Sequence, residues 1–310
     1  MNKIAFVFPG QGAQSVGMAK DVYDAIPASK AIVDSADQEL GWSLSSLMFN
    51  GPEEQLKQTA NTQPALLTAS IAYLEGLREH GIVPHYVAGH SLGEYSALVA
   101  AGVLTLQDAV KVVRARGEYM EAAVPGGQGA MAAVLGAERE GLSSLCSSIT
   151  AEGFSVELAN VNCPGQIVIS GTAEGVAAAS ARIKEAGAKR AIPLEVSGPF
   201  HSSMMKEASE RLAGKLADIT LAEPEIPVVA NVTARPADSA SQIRSLLVEQ
   251  VYSPVLWHDS VEWMISQGVD TFIEIGPGNV LSGLIKKIDK NVKLININSL
   301  ASLQELEAKV

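Results

Sequence analysis

The stretch 85–99 constrains the fold more than any other part of the chain. Its sequence predicts a short strand, a sharp turn and a helix, and the turn is Gly89-His90-Ser91-Leu92-Gly93. This is the pattern of a nucleophile elbow, in which a serine occupies a strained turn between strand and helix. The residues two before and two after that serine must be small, as Gly89 and Gly93 are. The following helix would direct free N–H groups and its positive dipole end at Ser91. We therefore predict a nucleophilic serine at position 91.

Composition limits the classes of protein that the chain can belong to. It has 310 residues, of which 47% are hydrophobic and 18% charged, which is typical of a globular protein large enough for two subdomains. It has no run of 18 apolar residues, and the run 4–8 is too short for a signal peptide. We therefore expect a cytoplasmic protein in which Cys146 and Cys163 are reduced. The net charge of -11 disfavours nucleic acid and anionic membranes as partners, and an acidic protein partner would need a local basic patch.

Strands and helices alternate along most of the chain, which predicts an α/β fold with a mostly parallel sheet. The apolar run Lys3–Phe8 is typical of a strand buried on both faces. The loop 9–14 follows it at the sheet edge where such folds carry their sites. We expect residues 1–125 and 197–310 to form this hydrolase-like core. Its other predicted strands are 86–88, 227–232, 270–275 and 292–297.

The pattern changes at Pro125-Gly126-Gly127. Residues 126–196 predict the order strand, helix, strand, strand, helix, strand, which is the ferredoxin-like arrangement. We expect this segment to be a subdomain inserted into the core. Its predicted strands are 130–135, 155–161, 166–170 and 189–196, its helices are 138–149 and 173–186, and a turn covers 162–165.

A nucleophilic serine needs a base, and the chain has five histidines. His201 lies in a Gly-Pro-Phe-His-Ser loop after a predicted strand, and it follows Ser91 in the order used by α/β-hydrolase folds. His90 adjoins the serine and is expected to support the site by a hydrogen bond. No acid stands out as the residue that orients His201: Asp218 and Glu223 are candidates, and a carbonyl group could serve instead. No spacing typical of a metal site occurs, so we expect no metal.

Arg116 lies at the border of the apolar face of a helix predicted to start at Thr105. A guanidinium at a buried face needs an anionic partner. Two interpretations remain open from the residues alone: an ion pair with a carboxylate of the protein, or a bidentate site for the carboxylate of a substrate.

Six motifs, in this order, resemble those of the malonyl-CoA:acyl carrier protein transacylases, the malonyl loaders of bacterial type II fatty acid synthesis. The resemblance spans residues 3 to 297. It implies ping-pong transfer of a malonyl group from malonyl-CoA to the phosphopantetheine thiol of acyl carrier protein, through an ester on the serine and without a bound cofactor. The motifs are Phe8–Gln14, Gly89–Glu94, Arg116-Gly117, Asn160–Gln166, Gly198–Ser202 and Glu274–Gly278.

The resemblance also implies a role for each matching residue. Ser91 would be the nucleophile, and His201 would be the base that later protonates the leaving thiol. The N–H groups of Gln11 and Leu92 would form the oxyanion hole. The main-chain carbonyl of Gln250 would orient the histidine.

The remaining matches concern the acyl group. Arg116 would bind the malonyl carboxylate. His90, Met120 and Asn160 would line the site. Phe200 would crowd an α-methyl branch, as in malonyl-selective members of the family.

Other functions remain open at this point. A serine hydrolase or thioesterase would use the same pair with water as the acceptor, although Arg116 argues against a generic esterase. The acceptor could also be the carrier of a polyketide synthase, and a docking protein without activity would not need Ser91, His201 and Arg116 together. We expect a monomer with a basic docking patch for the carrier. The candidate residues are Lys189, Arg190, Lys286, Lys287, Lys290 and Lys293.

Overall fold

The alternating pattern produces two sheets in the computed structural model, which describes residues 3–306. The strands are β1 (Lys3–Phe8), β2 (Tyr86–Gly89), β3 (Gly129–Leu135), β4 (Val156–Cys163), β5 (Gln166–Thr172), β6 (Arg190–Pro193), β7 (Val228–Ala230), β8 (Arg235–Pro236), β9 (Val269–Ile275) and β10 (Lys293–Ile297). The helices are α1 (Lys20–Ala25), α2 (Pro27–Leu40), α3 (Leu44–Asn50), α4 (Glu53–Leu56), α5 (Thr59–Arg78), α6 (Gly93–Ala100), α7 (Leu106–Ala122), α8 (Arg139–Ala151), α9 (Ala173–Ala181), α10 (Lys206–Ala217), α11 (Ala240–Gln250), α12 (Trp257–Ser266), α13 (Val280–Ile288) and α14 (Leu300–Gln304). Short 3-10 turns cover Ile183–Ala186 and Ser203–Met205.

The larger sheet has the strand order β10-β9-β1-β2-β7-β8. All its pairs are parallel except that of β7 with β8. This confirms the predicted α/β class with a mostly parallel sheet. The carboxyl ends of β1 and β2 are adjacent, since Phe8 pairs with Gly89, so the loops that follow these strands meet at one edge.

The smaller sheet is antiparallel, with the strand order β4-β5-β3-β6. It packs with α8 and α9 around its own hydrophobic cluster, drawn from residues 132–188. The two sheets are joined at β4: the Val161 N–H donates to the Val255 carbonyl, and the Val255 N–H donates to the Ala159 carbonyl. These bonds place Asn160 beside the carboxyl edge of the larger sheet.

Three predicted boundaries in this segment were wrong. The helix predicted over 173–186 leaves helical geometry at Arg182, which has φ -102 and ψ 9, and continues as a 3-10 turn. The strand predicted over 189–196 is shorter and covers Arg190–Pro193, although the Leu194 N–H beyond it still donates to the Met131 carbonyl. The turn predicted at 162–165 is shorter, because Asn162 and Cys163 still belong to β4.

The last helix of the described residues is α14, and residues 307–310 lie outside the described part. Within residues 3–306, every helix is too short or too polar to cross a membrane.

The elbow depends on two glycines at points of close backbone approach. A Cβ at Gly89 would lie 1.9 Å from the carbonyl of Gly93. A Cβ at Gly93 would lie 2.1 Å from the Phe8 carbonyl oxygen. Both clashes involve backbone, which cannot move aside as a flexible side chain does. The predicted need for small residues around Ser91 is therefore confirmed.

Gly89→Ala should lower the free energy of unfolding by about 3 kcal/mol or more, the upper end of the usual cost of overpacking. Gly214→Ala is the matched control, since Gly214 lies exposed in α10 with nothing within 4 Å of its added Cβ. The control should gain roughly 0.5–1 kcal/mol from helix propensity. Urea unfolding measures both variants, and equal midpoints for the two would contradict the close-packing account.

Candidate active site

Ser91 lies at the turn between β2 and α6 with a φ of 52°, a left-handed backbone value that residues other than glycine rarely adopt. Its N–H donates to Asn231 Oδ1 at 2.8 Å, which holds the strained turn. Its Oγ lies 2.7 Å from His201 Nε2. The serine and the predicted base are therefore within direct hydrogen-bond reach, as nucleophilic catalysis requires.

His201 is held in one orientation by the main chain. Its Nδ1 lies 2.8 Å from the Gln250 carbonyl oxygen, which can only accept a hydrogen bond. The proton is therefore on Nδ1, and Nε2 is free to accept the Ser91 hydroxyl proton. Burial, together with the nearby Arg116 charge, lowers the pKa of His201 to about 3. The imidazole is neutral at physiological pH, which is the form that a general base needs.

The two acids considered as partners of His201 are elsewhere. Glu223 accepts the N–H of Ala240 at the start of α11. Asp218 is exposed at the end of α10. The carbonyl alternative, at Gln250, is the one that the structure contains.

Arg116 projects from α7 into the site and is only 1% exposed. Its Nη2 donates to Gln250 Oε1 at 2.9 Å and to Ser91 Oγ at 3.2 Å. Its Nη1 donates to Gln63 Oε1 at 2.7 Å. The neighbouring Arg114 instead pairs with Glu118 near the surface. Among residues 3–306 no carboxylate forms an ion pair with Arg116, so the first of its two interpretations fails.

A buried polar network under the elbow connects these groups, and sequence reasoning did not identify most of it. The Gln250 side-chain amide donates to the Ser91 carbonyl at 3.1 Å and to Glu94 Oε2 at 2.9 Å. Glu94 also accepts the Asn231 N–H. Burial raises the pKa of Glu94 to about 7. The network fixes the elbow, the base and the arginine as one unit.

The signals for the missed residues were weak. Glu94 is a charged residue in an otherwise apolar helix, α6, and that contrast was visible in the sequence. Gln63 lies in α5, whose residues are buried almost throughout, and glutamine in a helix is ordinary. Asn231 follows a short strand in a loop and carries no recognisable pattern.

A cavity of about 110 Å³ lies against Ser91 and His201. It brings together all of the predicted lining residues: Gln11, His90, Leu92, Arg116, Met120, Asn160 and Phe200. A second cavity of about 290 Å³ shares Gln11, His90 and Asn160 with the first and extends to α13. A larger groove of about 460 Å³ on the smaller sheet holds no serine–histidine pair.

His90 contributes to the wall of this site rather than to the serine. Its Nε2 lies 2.8 Å from Asn162 Oδ1, and its ring packs against Trp257. Burial lowers its pKa, so the ring is neutral. The hydrogen bond expected of His90 is therefore present, with Asn162 as its partner.

The main chain beside the serine supplies free donors. Within residues 3–306, we find no acceptor for the N–H of Leu92 or of Gln11. Leu92 is the N-cap of α6, and the Gln11 side chain is tied to α5 through Thr59. Both residues line the cavity, so a negative oxygen formed there would meet unpaired N–H groups and a helix N-terminus. The arrangement has the parts needed for acyl transfer through a serine ester.

Comparison with known proteins agrees with this chemistry. The acyl transferase domain family matches residues 5–304. A malonyl CoA-acyl carrier protein transacylase of Bacillus subtilis is 56% identical over 298 residues, which cover 96% of this chain and 94% of the relative. A transacylase of the same name from Staphylococcus aureus is 48% identical over 98% of both chains.

Solved structures show the same likeness in three dimensions. An acyl carrier protein S-malonyltransferase from Vibrio cholerae superimposes with a TM-score of 0.96 at 45% identity, over 98% of this chain and 100% of the other. A malonyl-transacylase solved in complex with a type II polyketide acyl-carrier protein has a TM-score of 0.96 at 44% identity, over 100% of both chains. This chain therefore belongs to the acyl transferase family, among the malonyl CoA-acyl carrier protein transacylases.

Proposed function

We propose that this protein transfers a malonyl group from malonyl-CoA to the phosphopantetheine thiol of an acyl carrier protein. The observation that carries the proposal is the meeting of three groups: Ser91 lies 2.7 Å from the neutral His201 and 3.2 Å from the buried Arg116 guanidinium. A serine–histidine pair provides acyl transfer. A buried guanidinium that has hydrogen bonds but no ion pair among the described residues favours an acyl group that carries its own carboxylate.

The first half-reaction forms the malonyl ester. His201 Nε2 accepts the hydroxyl proton as Ser91 Oγ attacks the thioester carbonyl carbon. The N–H groups of Gln11 and Leu92 stabilise the negative oxygen of the tetrahedral intermediate. The carbon–sulfur bond then breaks, and the imidazolium of His201 returns its proton to the CoA thiolate.

Arg116 binds the malonyl carboxylate in this scheme. Two charge-assisted hydrogen bonds from a guanidinium fork suit a carboxylate, and they compensate the cost of the buried charge. Phe200 and Met120 bound the same cavity, and we expect Phe200 to crowd an α-methyl branch.

The second half-reaction reverses the first with a new thiol. The phosphopantetheine arm enters through the cavity of about 290 Å³, whose wall includes Asn160, Asn162 and Gln166. His201 takes the thiol proton, and the sulfur attacks the ester carbon. Ser91 leaves with the proton restored. No step of this scheme needs a bound cofactor or metal, and we expect the protein to act in the cytoplasm.

We also infer two finer features of the fold. The core, residues 1–125 and 197–310, is hydrolase-like, which its parallel sheet and its elbow after β2 support. Residues 126–196 form a ferredoxin-like subdomain, which the order β4-β5-β3-β6 and its separate hydrophobic cluster support. The bonds from β4 to Val255 hold this subdomain over the site.

The acceptor is expected to be the carrier of fatty acid synthesis. The complex with a type II polyketide carrier, in a structural neighbour at 44% identity, favours a polyketide carrier as the second candidate. Transfer rates to holo carriers of both kinds distinguish the two, and we expect a monomer to suffice for either.

Incubation with malonyl-CoA alone should add one malonyl group to the wild-type protein, because the first half-reaction needs no carrier. Ser91→Ala should remain unmodified, since it lacks the attacking oxygen. Intact-protein mass spectrometry measures both. A malonyl adduct of full occupancy on Ser91→Ala, or none on the wild type, would disprove the proposed mechanism.

Two of the candidate basic residues, Arg190 and Lys287, lie near the wall of the cavity of about 290 Å³. Lys287 Nζ approaches Gln166 Oε1 at 3.5 Å. Gln166 pairs with Leu135, which pairs with Arg190, so Arg190 lies two strands away, at roughly 10 Å. Lys189 precedes Arg190 and is also exposed. Arg190 and Lys287 therefore lie on the same side of the smaller sheet as Gln166, which belongs to the wall of that cavity.

An acidic carrier should dock on this surface, because opposite charge accelerates encounter. Arg190→Glu with Lys287→Glu should raise the carrier KM, most strongly at low salt, and leave malonyl ester formation unchanged. Lys30→Glu is the control, since α2 packs against α5 and α7 rather than against the smaller sheet. An unchanged carrier KM in the double variant at low salt would place docking elsewhere.

A further inference from the structure

Arg116 is held by two buried side-chain amides. Gln63 Oε1 accepts from Nη1, and Gln250 Oε1 accepts from Nη2. Both glutamines are at most 1% exposed, and they come from different helices, α5 and α11. The guanidinium is therefore fixed from two sides by oxygens that carry no net charge.

The buried acid of this network does not touch Arg116 directly. Glu94 is the carboxylate of the network, and the Gln250 amide lies between it and Arg116. Burial weakens the charge of Glu94, since it raises the pKa of that carboxyl to about 7. Arg114, on the same helix, differs from Arg116 because it forms a direct ion pair, with Glu118 at 2.7 Å.

Gln63 is the simpler of the two holding residues. Its side chain contacts Arg116 and, through Nε2 at 3.6 Å, the Met120 sulfur, which is a weak acceptor. Among the hydrogen bonds of residues 3–306, none joins the Gln63 side chain to Ser91 or His201. A glutamate of the same shape at position 63 would place a charged oxygen at the same 2.7 Å from Arg116 and would neutralise it.

We propose that Gln63 is a specificity-determining positioning residue: it holds Arg116 through a neutral oxygen and so leaves the full guanidinium charge for the carboxylate of the acyl group. This inference rests on the proposed malonyl transfer and extends it. A carboxylate at position 63 would compete with the malonyl carboxylate for the same cation. Binding of an acetyl group would be affected less, because it has no carboxylate.

The close packing of α7 on α5 makes this contact possible. A Cβ at Gly117 would lie 2.7 Å from Ala60 Cα and 2.8 Å from the Thr59 carbonyl oxygen. The glycine after Arg116 thus lets the two helices approach closely enough for Arg116 and Gln63 to meet at 2.7 Å.

The test compares malonyl-CoA with acetyl-CoA in Gln63→Glu. We expect the ratio of kcat/KM for malonyl-CoA to that for acetyl-CoA to fall on the order of 10²-fold, because charge-assisted hydrogen bonds to the malonyl group are lost. Gln63→Met is the matched control of similar size without charge, and its ratio should change less than tenfold. Labelling of Ser91 by a neutral fluorophosphonate shows that each variant retains its serine–histidine pair.

Two results would overturn the inference. One is an unchanged malonyl-to-acetyl ratio in a Gln63→Glu protein that still labels with the fluorophosphonate. The other is a hundredfold fall in Gln63→Met, which would mean that the acceptor bond and not the missing charge sets the specificity. If Gln63→Glu fails to fold, the second result still decides. A wild type that forms no malonyl ester would refute the proposed function itself, so the two failures are distinguishable.

Discussion

The structure depends on one buried contact, between the Arg116 guanidinium and the oxygens around it. A cation that is 1% exposed is costly unless polar groups surround it, and here they are Gln63, Gln250 and the Ser91 hydroxyl. The same charge lies near His201 and helps to keep that imidazole neutral. One residue thus links the two tasks of the site, selection of the acyl group and activation of the serine.

Gln250 joins these tasks mechanically. Its main-chain oxygen orients His201, its side-chain oxygen holds Arg116, and its amide group supports the Ser91 carbonyl. Both members of the serine–histidine pair also have left-handed backbone conformations, with φ values of 52 and 56. Such strain persists only where surrounding contacts enforce it. The Asn231 side chain, which binds the N–H of Ser91 and the carbonyl of Gly89, supplies that enforcement on the serine side.

The sequence was sufficient for the parts of this site that have short-range patterns. The elbow was predictable because its glycines avoid clashes of 1.9 and 2.1 Å. The parallel sheet was predictable because β1 is an apolar run and because strands alternate with helices along the chain. His201 was found from its loop and its order after Ser91, and Arg116 from its position at the border of an apolar helix face. Gln63 and Asn231 were not predictable, because a buried amide is informative only when its distant partner is known. The boundaries at Arg182 and Pro193 were missed for a different reason: the composition continues past both residues, whereas the α-helical geometry and the strand end there.

The central claim is that the charge of Arg116 selects the acyl group. The most direct test is kcat/KM of Arg116→Ala with malonyl-CoA and with acetyl-CoA, against Arg114→Ala as the control on the same helix. The claim predicts a loss of roughly 10²–10³-fold for malonyl-CoA, as for truncation of a buried charge pair, and a loss of less than tenfold for acetyl-CoA. Equal losses for the two thioesters would contradict it and would make Arg116 a structural residue.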